Sequence, residues 1–230
     1  MIISPGVIGR IGELVEQAVN RTRQRMVKGD VDDEPTLTGG FVENLRRIFE
    51  DVPQINNYDL RIRVLRGIGG YAPETEFGAD FCVIFTVEEE DYKLSKGFLM
   101  QAKWADRSNI TVEQYGYHRP SFSMNNEFRR MQGQCDDMLK ITPDSFVILY
   151  SVNGFTIVPA SSISGVRKQK GRLQLYSKHV HGFFKEFIMC FIGDSRLSAP
   201  DDDTLESLKS DSIADYIISI ALKQTKDASE

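Results

Sequence analysis

Three polar side chains interrupt two apolar stretches of the sequence. Asp80 lies near the start of the first stretch (78–87), and Gln101 and Lys103 lie near the end of the second (97–104). A carboxylate, an amide oxygen and an ammonium group that meet on neighbouring strands suit phosphodiester chemistry with a divalent metal. The three residues are therefore candidates for a nuclease site.

Both stretches are rich in β-branched and aromatic residues, which predicts two strands of a hairpin joined by an acidic turn at 88–91. Side chains alternate between the two faces of a strand, so Gln101 and Lys103 point to the same side. The apolar residues that point to the other side are Phe98, Met100, Ala102 and Trp104.

Hydrophobic periodicity predicts the helices that surround this hairpin. The segments from 7 to 27 and from 205 to 222 are expected to be amphipathic helices, and each is a candidate subunit interface if the protein is a homodimer. Further helices are expected from Thr36 or Thr38 to Asp51 and at 124–141, with a short helix or turn at 161–165.

Three more strands are expected, at 59–65, 145–151 and 154–158. The strand at 145–151 is apolar almost throughout, which is typical of a central strand, and the helix before it implies a parallel neighbour. The strand at 59–65 is expected to form an antiparallel meander with the hairpin. Residues 183–192 are strongly apolar and are expected in the core.

The composition indicates an ordinary globular protein of 230 residues, 41% hydrophobic, with a net charge of −5. A surface that binds nucleic acid would therefore have to be local. The sequence has no run of about 18 apolar residues and no signal-peptide pattern at its start, so we expect no membrane span and a cytoplasmic protein. Cys82, Cys135 and Cys190 are far apart and are expected to be reduced, buried thiols.

Two glutamates of the predicted second helix could complete a metal site. Glu34 lies at the helix entry, where a carboxylate also favours the positive end of the helix dipole. Glu43 lies in the middle, away from the apolar stripe, and could equally be a solvated surface residue. Two loop segments, 115–119 and 166–178, combine basic with aromatic or polar residues and could contact nucleic acid or simply be solvated.

The order helix, three strands, helix, strand (36–152), with Asp80 on the second strand and Gln101-x-Lys103 on the third, resembles the PD-(D/E)XK phosphodiesterase superfamily. The Asp…Gln-x-Lys variant is similar to the Mrr-type restriction branch, and the sequence at 30–160 to nuclease domains of bacterial anti-phage defence proteins. The segments that carry this second likeness are Glu34-Pro35-Thr36-Leu37-Thr38-Gly39, Arg66-Gly67-Ile68-Gly69-Gly70, Pro73-Glu74, Gly78-Ala79-Asp80 and Gln101-Ala102-Lys103.

The resemblance implies a restriction-endonuclease-like αβββαβ core with a mixed central sheet flanked by helices, and a magnesium-dependent DNA endonuclease, with Mn²⁺ as a possible substitute. Asp80, the Gln101 oxygen and Glu34 would hold the metal, and Lys103 would act on the attacking water and the phosphate. Ala79 stands where the family has proline. Gln101 replaces an acid, so the missing carboxylate would come from Glu34, with Glu43 or Glu74 as alternatives.

The resemblance also implies an organisation and partners. We expect one domain (1–230) with a nuclease-like core at 30–160, a helix at 1–29 and an extension at 161–230 packed on the core. DNA would be the substrate, and a second copy or another defence-system subunit a possible partner. The competing hypothesis is a non-catalytic DNA-binding or assembly subunit of the same fold. A domain that binds a small molecule or a protein is a third hypothesis.

Overall fold

The computed structural model describes residues 3–67, 78–105, 110–111, 120–167, 172–211 and 213–225. The helices are α1 (Pro5–Lys28), α2 (Glu34–Glu50), α3 (Asn126–Ile141), α4 (Ala160–Ser164), α5 (Val180–Ile188) and α6 (Asp202–Ser210), with a 3₁₀ turn at Ser195–Leu197. The strands are β1 (Gln54–Ile55), β2 (Tyr58–Arg66), β3 (Phe81–Glu89), β4 (Tyr92–Trp104), β5 (Ile110–Thr111), β6 (Ser121–Ser123), β7 (Ser145–Tyr150), β8 (Thr156–Pro159), β9 (Arg172–Gln174), β10 (Lys178–His179) and β11 (Tyr216–Gln224).

Eight of these strands form one mixed sheet in the order β1-β2-β11-β3-β4-β7-β8-β10. The pairs β11–β3 and β4–β7 are parallel, and the remaining neighbours are antiparallel. The expected hairpin of β3 and β4 and the parallel pairing of the strand that follows α3 are both confirmed. The strands β5, β6 and β9 form a second, small sheet.

Helices cover both faces of the large sheet, so the protein is α/β with a mixed central sheet flanked by helices. Apolar residues of α1, α2 and α5 pack on one face, together with the even-numbered residues of β4. Residues of α3, α4 and α6 pack on the other face, beside Cys82, Ile84 and Leu99. Each strand of the hairpin therefore has an apolar layer on both sides.

The first two helices begin where side chains can cap them. The side chains of Ser4 and Asp33 accept hydrogen bonds from the first turns of α1 and α2, and Gly29 ends α1 with a φ of 73°. The apolar face of α1 is buried against α2 and α5 of the same chain. A role of the segment 7–27 as a subunit interface therefore stays a prediction, and it would involve the exposed face of α1.

The segment 205–222 is not one helix. It contains the last part of α6 and most of β11, a strand buried on both faces. Ile218, Ile220 and Leu222 contact one apolar layer, while Ile217 contacts the other. A strand covered on both sides lacks the alternation of polar and apolar residues that identifies half-buried strands, and its run of apolar residues resembles a helix.

The strand β11 also separates β2 from β3. It pairs with β2 through all nine of its residues and with β3 through eight. The predicted meander of three consecutive antiparallel strands is therefore wrong at its first step. The extension after residue 160 contributes a central strand, and does not merely pack on the outside of the core.

Two smaller expectations can be compared with the structure. Cys82 and Cys135 are buried, and burial raises the pKa of each thiol to about 12. Cys190 is exposed, in contrast to the prediction, because it follows the end of α5 with a φ of 66°. In the described parts of the chain, no helix has the length and apolar character needed to cross a bilayer.

Candidate functional site

The candidate site lies where β4 extends beyond the start of the neighbouring strand β3. β3 begins opposite Met100, so residues 101–104 of β4 have no strand beside them on that edge. The backbone N–H groups of Ala102 and Trp104 point to this edge. Asp80 Oδ2 accepts from the first at 2.5 Å and Glu34 Oε2 accepts from the second at 2.7 Å. Buried backbone donors need partners, and here two carboxylates supply them.

The backbone of Asp80 is held on both sides. Its N–H donates to the Met100 carbonyl at 3.0 Å, and its carbonyl accepts from Tyr216 N–H at 2.9 Å. The first bond belongs to β4 and the second to the start of β11. The strand that the sequence analysis missed therefore helps to fix the central residue of the site.

Gly78 determines how the chain enters this site. Its φ is 72°, and a Cβ atom there would lie 2.4 Å from the carbonyl oxygen of Gln134 on α3. Only glycine tolerates both the left-handed backbone and the close approach. The turn that delivers Asp80 is thus packed directly on the backbone of α3.

Replacing Gly78 by alanine is expected to lower the free energy of unfolding by about 3 kcal/mol, because the new methyl group must displace α3 or the turn. Thermal unfolding monitored by circular dichroism measures this change. Gly133→Ala on the same helix is the matched control, since a Cβ atom there meets nothing within 4 Å. Equal stability of the two variants would contradict the role assigned to Gly78.

The side chain of Gln101 lies beside Asp80. Its Nε2 donates to Asp80 Oδ2 at 2.6 Å and to the Ala102 carbonyl at 3.2 Å. The residue is 1% exposed, and its Oε1 atom has no hydrogen-bond partner among the described residues. A buried amide oxygen without a partner is costly, so a cation or a water at this position would stabilise the fold.

Lys103 forms an ion pair with Glu34 across the same edge. Its Nζ lies 2.9 Å from Glu34 Oε1, and the two side chains are 16% and 29% exposed. Glu34 reaches this position because it is the first residue of α2, directly after the capping Asp33. The structure thus places the four residues predicted to be catalytic along one edge of β4 as two hydrogen-bonded pairs, Asp80 with Gln101 and Glu34 with Lys103.

The side chains at this edge can be compared with the ligands that Mg²⁺ binds in proteins. Within the described ranges, no three His, Cys, Asp or Glu side chains form a group that could hold a metal ion. Mg²⁺ is commonly held by only one or two carboxylates, with water and substrate phosphate as its other ligands. Asp80 and the unpartnered Gln101 oxygen fit that pattern. Glu34 caps a donor two residues further along the strand, about 7 Å away, so it fits as a ligand through water.

Glu43 is not brought to this cluster. It lies nine residues after Glu34 on α2, about 13 Å further along the helix axis and on its opposite side. Arg46 and Arg47 bind its carboxylate on the exposed surface, and these hydrogen bonds hold its pKa at about 2. Glu43 therefore has the alternative role considered for it, that of a solvated helix residue. Glu74 and the residues at 115–119 lie outside the described residues.

Tyr150 was not considered in the sequence analysis, yet it lies under the site. This residue of β7 is fully buried, and the negative charges of the nearby Asp80 and Glu34 carboxylates act on its phenol in the same direction as burial. Burial raises the pKa of its phenol well above the ordinary value. Its hydroxyl has no hydrogen-bond partner among the described residues. In the sequence, the only indication that this residue could belong to the site is its position as a tyrosine at the end of an apolar strand.

Comparisons of this chain with protein-family models, with curated proteins and with solved structures found no match.

Proposed function

We propose that this protein is a metal-dependent endonuclease that hydrolyses phosphodiester bonds of DNA, with Asp80, Gln101, Glu34 and Lys103 as its site. The observation that carries the proposal is the convergence of these four side chains at one edge of β4, from segments up to 69 residues apart in the sequence. One of these residues, Gln101, also carries a buried amide oxygen that has no hydrogen-bond partner among the described residues.

Each residue of the site would have its own role in the reaction. A bound Mg²⁺ would polarise the phosphoryl oxygen and lower the pKa of its water. Asp80 and Gln101 would hold the ion, and Glu34 would orient water beside it. Lys103 is held by Glu34 in a position from which its ammonium can offset charge that develops on the phosphate. Its partial burial strengthens that interaction.

The arrangement of elements supports a restriction-endonuclease-like core. Along the chain, α2, β2, β3, β4, α3 and β7 follow the order of that fold, with Asp80 directly before β3, and Gln101 and Lys103 on β4. The insertion of β11 between β2 and β3 would be a variation on it. From the resemblance in the sequence, we propose a role in bacterial anti-phage defence, in the cytoplasm, alone or with a second subunit.

Cleavage of supercoiled plasmid DNA tests the proposed activity. The protein is incubated with Mg²⁺, Mn²⁺, Ca²⁺ or EDTA, and nicked and linear products are separated on a gel. We expect products with Mg²⁺ and Mn²⁺ and none with EDTA. Intact plasmid under all four conditions, with DNA still bound, would favour the non-catalytic subunit instead.

One observation favours that second candidate. Both oxygens of Glu34 already accept hydrogen bonds, from Lys103 and from Trp104 N–H. Without Glu34, a metal would have a single carboxylate, that of Asp80, and an amide oxygen as its protein ligands, which is the low end of what Mg²⁺ uses. In that case the four residues would only stabilise the edge of β4, and the protein would bind DNA without cutting it.

Gln101→Glu distinguishes a metal site from a purely structural cluster. A second carboxylate beside Asp80 is expected to lower the free energy of unfolding by about 3 kcal/mol in EDTA, because two negative charges would be buried together. Mg²⁺ is expected to restore most of this loss and to stabilise the variant more than the wild type. Thermal unfolding at increasing Mg²⁺ concentration measures both effects.

Gln17→Glu is the control for the added charge, since Gln17 is exposed on α1. Its stability should change little and should not depend on Mg²⁺ more than that of the wild type. If Mg²⁺ stabilises Gln101→Glu no more than this control, the metal site is refuted.

A further inference from the structure

Two arginine side chains from different elements approach α2 at adjacent glycines. Arg25 of α1 lies against Gly40, and its Nη1 atom is 2.7 Å from the position that a Cβ atom of Gly40 would occupy. The hydroxyl of Tyr216 lies 3.1 Å from the corresponding position of Gly39 and accepts from Arg66 Nη2 at 3.3 Å. Because α2 has no side chain at these two positions, both guanidinium groups can lie close to the same turn of the helix.

Arg66 is stacked on a residue that also contacts the candidate site. Its Cζ atom lies 5.6 Å from the centre of the Tyr216 ring, which is a cation–π contact. The backbone N–H of Tyr216 donates to the carbonyl of Asp80 at 2.9 Å. A stacked guanidinium group still presents N–H donors at its edge, and these suit the oxygens of a phosphate. Arg66 is therefore held in place beside the segment that carries Asp80.

The pairing of the strands places Arg66 at the same end of the sheet as Asp80. Arg66 pairs with Tyr216, and Tyr216 pairs with Phe81, the residue after Asp80. Neighbouring strands are about 4.8 Å apart, so the Cα atoms of Arg66 and Phe81 are separated by about 10 Å. One strand of B-form DNA covers this distance in about three nucleotides, since its phosphates repeat about every 3.4 Å along the helix axis.

Neither arginine forms an ion pair with a described residue. Arg66 is exposed and Arg25 is partly exposed, so both can be reached from solvent. The acidic residues of α2 on either side of the glycines, Glu34 and Glu43, are paired with other cations. Two such arginines beside one helix repel each other, so an anion between or beside them would stabilise both.

We propose that Arg25 and Arg66 bind phosphates of the DNA strand that flank the phosphate at the candidate site. The proposal rests on the proposed function and names the surface that holds the substrate. A chain of phosphates accounts for both cations and for their place beside the site, since it extends from one to the other. The missing side chains at Gly39 and Gly40 allow the strand to lie close to α2. In a protein of net charge −5, this is the local basic surface that binding of nucleic acid requires.

Binding measured in EDTA tests this inference without any cleavage. Fluorescence anisotropy gives Kd for a short labelled DNA duplex at several salt concentrations. We expect Arg25→Gln and Arg66→Gln each to raise Kd about tenfold, which is the effect of one hydrogen bond to a charged group. Each variant should also reduce the slope of log Kd against log salt by about 0.9, because one phosphate fewer is neutralised.

Arg10→Gln and Arg61→Gln are the matched controls, since each removes the same charge from the same element. Arg10 lies near the other end of α1, about 22 Å from Arg25 along the axis. Arg61 lies on β2 with its side chain on the opposite face from that of Arg66. Both controls should change Kd less than about twofold, since charges more than about 10 Å away are largely screened at 0.1 M salt. Circular dichroism checks that all four variants are folded.

The outcomes separate this inference from the proposed function. Equal losses of affinity in the two variants and their controls would reflect net charge alone and would overturn the inference, even if plasmid is cut. Failure of the wild type to bind DNA at low salt would overturn it as well, and an arginine whose variant binds like its control is not part of the surface. A loss confined to Arg25→Gln and Arg66→Gln would support the inference even if no plasmid is cut.

Discussion

Asp80→Asn is expected to reduce DNA cleavage by about a thousandfold or more while leaving the fold intact. The asparagine oxygen can still accept from Ala102 N–H and from the Gln101 amide, the two bonds that Asp80 Oδ2 accepts in the structure. What is lost is the negative charge beside the buried Gln101 amide, whose nitrogen donates to Asp80. Removal of about 4 kcal/mol of metal-dependent stabilisation corresponds to that factor in rate.

The asparagine variant is more informative than alanine at the same position. Asp80→Ala would leave Ala102 N–H and the Gln101 amide without their acceptor, at about 1–3 kcal/mol for each buried donor. Loss of activity in the alanine variant could then reflect a displaced edge of β4. Asp80→Asn removes the charge and keeps both hydrogen bonds.

The measurements for Asp80→Asn are the rate of plasmid nicking and the melting temperature with and without Mg²⁺. We expect a melting temperature in EDTA within a few degrees of wild type, and no stabilisation by Mg²⁺. Glu43→Gln is the control, since it removes a carboxylate from the exposed side of α2. Wild-type cleavage by Asp80→Asn would eliminate Asp80 as a metal ligand.

The sequence was sufficient to predict the parts of the fold whose signals are local. The helices α1, α2 and α3 carry a clear apolar stripe, and the hairpin of β3 and β4 carries a clear run of β-formers. The alternation of side chains along β4 predicted that Gln101 and Lys103 share a face. These features depend on neighbours in the chain, so periodicity detects them.

Other features depend on contacts between distant segments. β11 pairs with two strands that lie more than 120 residues earlier, and no local pattern indicates which strands a buried segment will join. Which of Glu34 and Glu43 completes the candidate site also depends on a contact between distant segments. Both lie on α2, and the position of the helix start over the edge of β4 is what separates them.

The position of Glu34 also explains why the site exists at all. β4 continues beyond β3, so the N–H groups of Ala102 and Trp104 need acceptors other than a neighbouring strand in a largely buried place. Carboxylates can satisfy them, and the same carboxylates then lie beside Gln101 and Lys103. The edge is therefore held together by contacts within the protein itself.

Lys103→Met is expected to reduce cleavage by about a hundredfold to a thousandfold without weakening Mg²⁺ binding. Methionine retains the apolar stem of the side chain, which is 16% exposed, and removes the ammonium group. Transition-state charge on the phosphate then loses a nearby cation, a change of the size seen when one stabilising donor is removed. The Glu34 carboxylate still accepts from Trp104 N–H, so the edge should remain ordered.

This variant is decisive because it is expected to lower the rate of DNA cleavage without weakening Mg²⁺ binding. Loss of Lys103 frees Glu34 Oε1, so Mg²⁺ should bind as tightly as in wild type or more tightly, as measured by the Mg²⁺ dependence of the melting temperature. Lys140→Met on α3 is the control, since Lys140 pairs with Asp137 on the surface. If Lys103→Met cuts DNA like this control, the ammonium serves only to pair with Glu34, and the catalytic role proposed for it must be abandoned.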